Sequence, residues 1–291
     1  MTNPHTVHQR IITEGATLMA YEQLIFDVVE NIAVLRMNRP SKKNAFSPTM
    51  SNEILDAMKR IENDDGIRGV LLTGVEDSFS AGLDLDLSFC QTMEEGNPTN
   101  FRKVMNPILD WYQKYYNLPK PTVAAVNGHC YGGGVVPVSL SDVAVASSNS
   151  KYALSEINFA HFPAGGTTWA ASHFLLPKHF EYLCLSGDRI DAEEAYRMGL
   201  VTKVVPHEKL EEESWRIVKR LAGKHPNAYA TAKAMCRMTP KMSFAEAIKL
   251  EMAHIHENYF MTEGEMVKVA LQQFKNKQIK TGTGEDYKRE S

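Results

Sequence analysis

The 291 residues carry a formal net charge of −3, with 43% hydrophobic and 23% charged positions, proportions of a globular chain with room for one large domain and an appendage. That balance gives no global pull toward nucleic acid or an anionic membrane, so a phosphate-bearing ligand must be met by a local basic patch. No apolar run approaches the roughly 18 residues a spanning helix needs, and neither nucleic acid nor a membrane is expected as a partner.

Residues 1–20 are polar and unpatterned, without the apolar stretch and cleavage site of a secretory signal. They are read as a flexible extension, with Met19 a candidate natural start. Residues 21–28 and 32–37 alternate as two strands of a hairpin turning at Val29-Glu30-Asn31. After NRPSKKNAFSP, residues 49–63 set Met50, Ile54, Leu55, Met58 and Ile61 on one helical stripe. Residues 69–73 are a short apolar strand of the kind buried on both faces of a parallel sheet. A loop with Gly and Asp follows over 74–87, then an aromatic-rich helix over 98–118 that ends at Pro-Lys-Pro.

Residues 122–126 are another buried strand, followed by NGHCYGGG, an apolar segment over 135–140 and a strand over 142–146. Strand, loop, helix and strand in repetition imply βαβ units and an α/β core. DAEEAYRMG then reads as a helix capped by Asp191 and closed at Gly199. Helical patterns run on over 208–223, 228–238, 243–260 and 263–276. The expected organisation is a core over 21–205, a helical region over 206–280 and a polar tail over 281–291.

Cys90, Cys130, Cys184 and Cys236 are scattered without CxxC spacing and read as reduced thiols of a cytosolic, cytoplasmic protein. His254 and His256 are two apart on a helical pattern and point in different directions, so no metal site is expected.

Two loops stand out, Ser80-Ala81-Gly82-Leu83-Asp84-Leu85 and Asn127 through Gly134 with its three consecutive glycines. Each follows a buried strand, where α/β sheets place ligands. Glycines before an apolar helix let the backbone approach a ligand and leave N–H groups free at the positive helix end. The competing reading is a tight strand-to-helix packing point. No Gly-Lys-Ser/Thr and no G-x-G-x-x-G spacing is present, which sets aside nucleotide-binding loops of those types.

NRPSKKNAFS, SAGLDL, PKPTVAAVNGHCYGGG and YALSEINF, in this order and spacing, resemble the crotonase (enoyl-CoA hydratase/isomerase) superfamily over about residues 21–274. The resemblance implies an α/β spiral of ββα units with a helical C-terminal trimerisation region, assembled as a homotrimer or a dimer of trimers. It implies an acyl-CoA substrate, with coenzyme A brought by the thioester and no further cofactor. The thioester oxygen would lie between the N–H groups of Leu83 and Gly133, beside Ala81 and Gly132. Lys42, Lys43 and Ala45 match adenine and phosphate contacts. Phe274 and Lys277 match groups that meet the nucleotide from a neighbouring subunit. Solvated surface is the plain reading of these lysines.

Hydratases of the superfamily usually carry two glutamates, and here the two positions hold Val136 and Glu156. That disfavours an ordinary two-glutamate hydratase. A hydroxycinnamoyl-CoA (feruloyl-CoA) hydratase-lyase is the nearest subtype, through SAGLDL, GGGxxP, LSEIN, TEG at 262–264, Gln273-Phe274 and DYKR at 286–289. A double-bond-shifting enoyl-CoA isomerase and a non-catalytic acyl-CoA binder are the alternatives. The tyrosines that grip a phenol in the hydratase-lyases fall at Ser88 and near Glu251, and neither is Tyr. Glu251 is then either a second polar group of the pocket or a solvated helix face. Asp84 and Asp86 read as loop-capping carboxylates rather than acids, and His129 and His161 as structural histidines rather than acyl contacts.

Overall fold

The hairpin at the start of the chain shows how local chemistry sets the sheet. The computed structural model describes residues 19–90, 94, 96–261 and 264–279, with backbone alone for 19, 20, 261, 265 and 266. The expected flexible extension up to residue 18, the polar tail, residues 262 and 263 of TEG, and DYKR lie outside the described residues. Strands β1 (Met19–Ala20), β2 (Leu24–Val29) and β3 (Ile32–Met37) are antiparallel. Glu30 and Asn31 both take left-handed φ values of 46° and 65°, the two-residue turn that matches strand twist.

Helix α1 (Pro48–Asn63) starts at Ser47, whose hydroxyl accepts from the Met50 amide, with Pro48 in the first turn. Its Met50, Ile54, Met58 and Ile61 are fully buried, each worth about 2 kcal/mol of apolar transfer. Leu55, read onto the same stripe, is only partly buried against the core. Then come β4 (Gly69–Gly74), β5 (Ser78–Ser80), a π-helical turn at Asp86–Cys90 and α2 (Pro98–Asn117). Next are β6 (Thr122–Val126), β7 (His129–Tyr131), a 3-10 turn at Gly132–Gly134, α3 (Val135–Leu140), β8 (Val143–Ser147) and β9 (Lys151–Ala153).

After a 3-10 turn at Ser155–Phe159 follow α4 (Thr167–Phe174), α5 (Pro177–Ser186), β10 (Ile190–Asp191), α6 (Ala192–Met198), β11 (Lys203–Val205) and α7 (Leu210–Ala222). Asp191 caps α6 through the Glu194 amide, and Gly199 closes it at φ 89°. Helices α8 (Pro226–Met238), α9 (Phe244–Met261) and α10 (Glu265–Lys275) complete the described chain.

The larger sheet has the order β1-β2-β3-β4-β6-β8-β11, parallel from β3 onward. A second sheet has the order β10-β9-β7-β5, with β5, β7 and β9 parallel. The chain divides into two compact units, Met1–Lys219 and Arg220–Ser291. Trp111 and Tyr115 of α2, Tyr152 of β9, and Phe46 and Phe79 are among the largest fully buried side chains of the first unit. Phe46 meets Trp111 and Tyr112 edge-on, with ring centroids 5.4 and 6.1 Å apart. No helix among the described residues is long and apolar enough to cross a membrane.

Candidate active site

Three loops meet beside this aromatic cluster, and each is held by backbone chemistry. In the first, Lys43 and Asn44 adopt left-handed φ values of 48° and 55°, a conformation Asn tolerates better than most residues. The Asn44 side chain is fully buried. It accepts from the Arg39 amide at 2.9 Å and donates to the carbonyls of Val75 and Ser78 at 3.0 and 2.7 Å. Ala45 beside it is buried, while Lys42 and Lys43 are exposed.

The second loop leaves β5. The Ser80 hydroxyl donates to the Asn44 carbonyl and accepts from the Gly82 amide, and the Ala81 amide donates to Lys43. Leu83 makes an isolated parallel bridge with Phe46. Within it the Phe46 amide donates to Gly82 at 2.7 Å and the Asp84 amide donates to Phe46 at 3.0 Å. Since successive residues of an extended segment present their amides to opposite sides, the Leu83 N–H faces away from Phe46.

The third loop is the triple glycine after β7. Gly82 and Gly132 are glycines for separable reasons of conformation and space. Gly82 has φ 85°, and a β-carbon there would lie 2.6 Å from the Tyr131 carbonyl oxygen and 2.9 Å from the Gly133 nitrogen. No side chain fits, so the Leu83 and Gly133 amides lie on directly abutting segments. Gly132 has φ 50°, and a β-carbon there would lie 3.0 Å from Oε1 of Glu156. Gly133 is second in its 3-10 turn, where N–H groups have no intrahelical partner. No acceptor for the Leu83 or Gly133 amide is found among the described residues.

Glu156 thus has its carboxylate against Gly132. Its Oε2 is buried without a hydrogen-bond partner. Burial pushes its pKa up, while its own amide and the nearby His161 pull it back, and the net shift is upward. A carboxyl whose proton affinity is raised in this way is better suited to take up and return a proton. Val136, at the other glutamate position, is 2% exposed and belongs to the hydrophobic core.

Ser88 is fully buried on the π-helical turn. Phe89 lies 6.0 Å from Phe101 and 5.3 Å from His161, whose ring stacks on Phe162 at 5.0 Å. Asp84 caps its loop, accepting from Arg39 at 2.6 Å and from the Leu87 amide at 3.2 Å. Burial pushes its pKa up, but the Arg39 guanidinium and the Leu87 amide outweigh that and hold it below the ordinary value. His129 finds a partner in the Tyr131 hydroxyl at 2.8 Å. Glu251, Phe274 and Lys277 lie in the second unit and are exposed.

Tyr112 was not singled out from the sequence. Its buried hydroxyl donates to the Gly133 carbonyl at 2.8 Å, anchoring the glycine turn from α2. Arg39 and Asn44 were likewise missed, and both fix the first two loops to each other. The usable signal for Tyr112 is that a buried phenol needs a hydrogen-bond partner. No cluster of three or more potential metal-ligating side chains occurs among the described residues, and all four cysteines are free thiols.

The family model described as enoyl-CoA hydratase/isomerase matches residues 27–281. The chain belongs to that family. The fold is the crotonase fold, and the chain is an enzyme of that superfamily. It is 29% identical over 265 residues to a hydroxycinnamoyl-CoA hydratase-lyase of Pseudomonas fluorescens, covering 90% of this chain and 95% of the relative. It is 32% identical over 234 residues to a crotonyl-CoA hydratase of Syntrophomonas wolfei, covering 80% and 88%. The crystal structure of an enoyl-CoA hydratase/isomerase from Cupriavidus metallidurans superposes with a TM-score of 0.82 at 25% identity, covering 94% of this chain and all of that one. Coenzyme A thioesters are the substrates of this family.

Proposed function

We propose that this enzyme hydrates an α,β-unsaturated acyl-CoA and then cleaves the hydroxyacyl product by a retro-aldol step to an aldehyde and acetyl-CoA. The observation that carries the reading is the convergence of Leu83, Gly133 and the buried Glu156 carboxylate around Gly132 and Gly133. In hydration the Glu156 carboxylate takes a proton from water as its oxygen bonds to the β-carbon. The electron pair of the double bond moves onto the thioester oxygen. The two amides hold that enolate oxygen, each donor contributing about 3 kcal/mol. Glu156 then returns the proton to the α-carbon. In cleavage it takes the β-hydroxyl proton, the Cα–Cβ bond breaks, and the acetyl-CoA enolate recovers the proton. Likeness to the hydratase-lyase relative over nearly its whole length supports the second step.

The runner-up is double-bond isomerisation by the same three groups. Val136 favours it, since one carboxylate suffices to move one proton between carbons. Lys42, Lys43 and Ala45 are assigned to the nucleotide end, with Phe274 and Lys277 supplied by a neighbouring subunit of a trimer or a dimer of trimers. Ser88 and Glu251 are assigned to the acyl pocket, and the free thiols fit a cytosolic setting.

Glu156→Gln tests the reading with cinnamoyl-CoA, crotonyl-CoA and a β,γ-unsaturated thioester as probes. Enoyl absorbance, aldehyde release and thioester binding are followed in parallel. The expected result is a loss of about a thousandfold in turnover with binding retained. Aldehyde release by the unsubstituted enzyme selects the lyase, and absorbance gained from the β,γ-unsaturated probe selects the isomerase. Full turnover by Glu156→Gln on every accepted probe removes Glu156 from the chemistry.

A further inference from the structure

Ser80 joins all three loops of the site. It closes β5, where Ser78 pairs with His129 but Ser80 with Cys130, so β5 carries one residue more than β7 over that step. A bulge of this kind re-aims the side chain that follows it. Ser80 is fully buried. Its hydroxyl donates to the Asn44 carbonyl of the first loop at 2.8 Å and accepts from the Gly82 amide of the second at 3.1 Å. On the third loop, a β-carbon added at Gly134 would lie 2.6 Å from the Ser80 carbonyl oxygen and 3.2 Å from the Ser80 β-carbon. Ser80 therefore abuts one end of the glycine turn, while Gly82 abuts the Gly133 nitrogen.

These contacts bracket the Leu83 amide. A peptide unit is planar, so fixing its carbonyl oxygen also fixes the N–H on its opposite side. The Gly82 carbonyl accepts from the Phe46 amide at 2.7 Å, which orients the unit joining Gly82 to Leu83. The preceding unit is oriented by its own N–H, that of Gly82, on the Ser80 hydroxyl. Between the two lies Gly82 at φ 85°, a residue with no side chain to restrain its torsions. Held at one end, such a residue keeps that freedom; held at both, it aims the Leu83 N–H in one direction. The Phe46 anchor is main chain, whereas the Ser80 anchor is a side chain that substitution can remove. Beyond the hydroxyl, the partner is itself fixed. Asn44 is buried at φ 55°, and its carboxamide is tied to the Val75 and Ser78 carbonyls.

We propose that Ser80 is a positioning residue for the two main-chain donors. Its hydroxyl, clasped between Asn44 and Gly82, holds the Leu83 amide at the spacing from Gly133 that lets both reach one thioester oxygen. This role deepens the reading of those amides as the pair that holds the oxygen, and it rests on that reading. One atom must donate to a carbonyl and accept from an amide, which a hydroxyl does, a thiol does weakly and a methyl group does not.

The test is the carbonyl stretch of a bound thioester, because hydrogen bonds to that oxygen lower its frequency. Butyryl-CoA and dihydrocinnamoyl-CoA, isotope-labelled at the carbonyl, have no double bond to hydrate and are followed by difference infrared spectroscopy. On binding to the unsubstituted enzyme the stretch is expected to fall. In Ser80→Ala the fall is expected to shrink by about half, with kcat on crotonyl-CoA or cinnamoyl-CoA about tenfold lower and the Kd of the saturated thioesters within about twofold. Ser80→Cys keeps a weak donor and acceptor of similar shape, and it is expected to lie between the two in both readouts. A stretch unchanged from that of the unsubstituted enzyme, in whichever variant folds, overturns the proposal and leaves Ser80 a packing residue, even where stability or kcat is lower. A stretch that does not fall in the unsubstituted enzyme removes the reading of the two amides instead, so the two failures are told apart.

Discussion

Tyr112 holds the glycine turn without reaching the reacting atoms. Its hydroxyl is buried and bound to the Gly133 carbonyl at 2.8 Å, so the aim of the neighbouring amide depends on a helix some twenty positions earlier. Tyr112→Phe removes one hydrogen bond worth about 1 kcal/mol. The expected outcome is a five- to tenfold lower kcat/KM with the thermal midpoint nearly unchanged, measured by steady-state kinetics and calorimetry. Unchanged kinetics would mean that the turn aims the amide unaided. The two glycine-bearing loops stood out from the residues alone, while the choice of the Leu83 and Gly133 amides on them came from the family resemblance. Tyr112 was not legible, because Trp111 and Tyr112 share an aromatic helix whose plain reading is core. Glu156 was named by the resemblance, but its perturbation was not legible, since burial arises from the meeting of loops distant in sequence.

The long elements announced themselves by period, α1 through its buried stripe and β4 and β6 through short apolar runs. The three-residue strands β5, β7 and β9 did not, because so few residues cannot display alternation. Yet β5 and β7 carry the two amide loops, so the elements that position the site were the least visible. The clasp between the first two loops is similarly non-local. Arg39 and Asp84 lie 45 positions apart, with side chains only 16% and 5% exposed. Asp84 has its pKa depressed in the folded state, so its stabilisation is present above the unfolded value of about 4. It is lost as pH falls through the lower folded value. Asp84→Asn is therefore expected to cost about 2–3 kcal/mol at pH 7. The gap to the unsubstituted protein should close in denaturant titrations carried well below pH 4. A gap independent of pH would show that the loop depends on shape rather than on the ion pair.

At the scale of the molecule, the late helices follow from patterns that extend over many residues, whereas any assembly would depend on surfaces no single chain covers. Helix α9 exposes Phe244 at 82%, Ile248 at 41%, Met252 at 57%, Ile255 at 49% and Tyr259 at 46%. Their spacings of four, four, three and four put them on one side of the helix. The first unit also exposes Phe159 at 66%, Phe162 at 65%, Leu176 at 63% and Leu185 at 71%. Scattered apolar residues are ordinary on a surface, but we read the stripe along this helix of 18 residues as a proposed association face. The expected outcome of sedimentation and light scattering is a trimer or a dimer of trimers. Ile248→Asp with Ile255→Asp, both exposed and far in sequence from the amide loops, should reduce the particle toward a monomer by placing charges on that stripe. If Phe274 and Lys277 reach the nucleotide of a neighbouring subunit, the same variant also weakens acyl-CoA binding in step with dissociation. A monomer for the unsubstituted chain at micromolar concentration would remove both the assembly and the shared nucleotide contact.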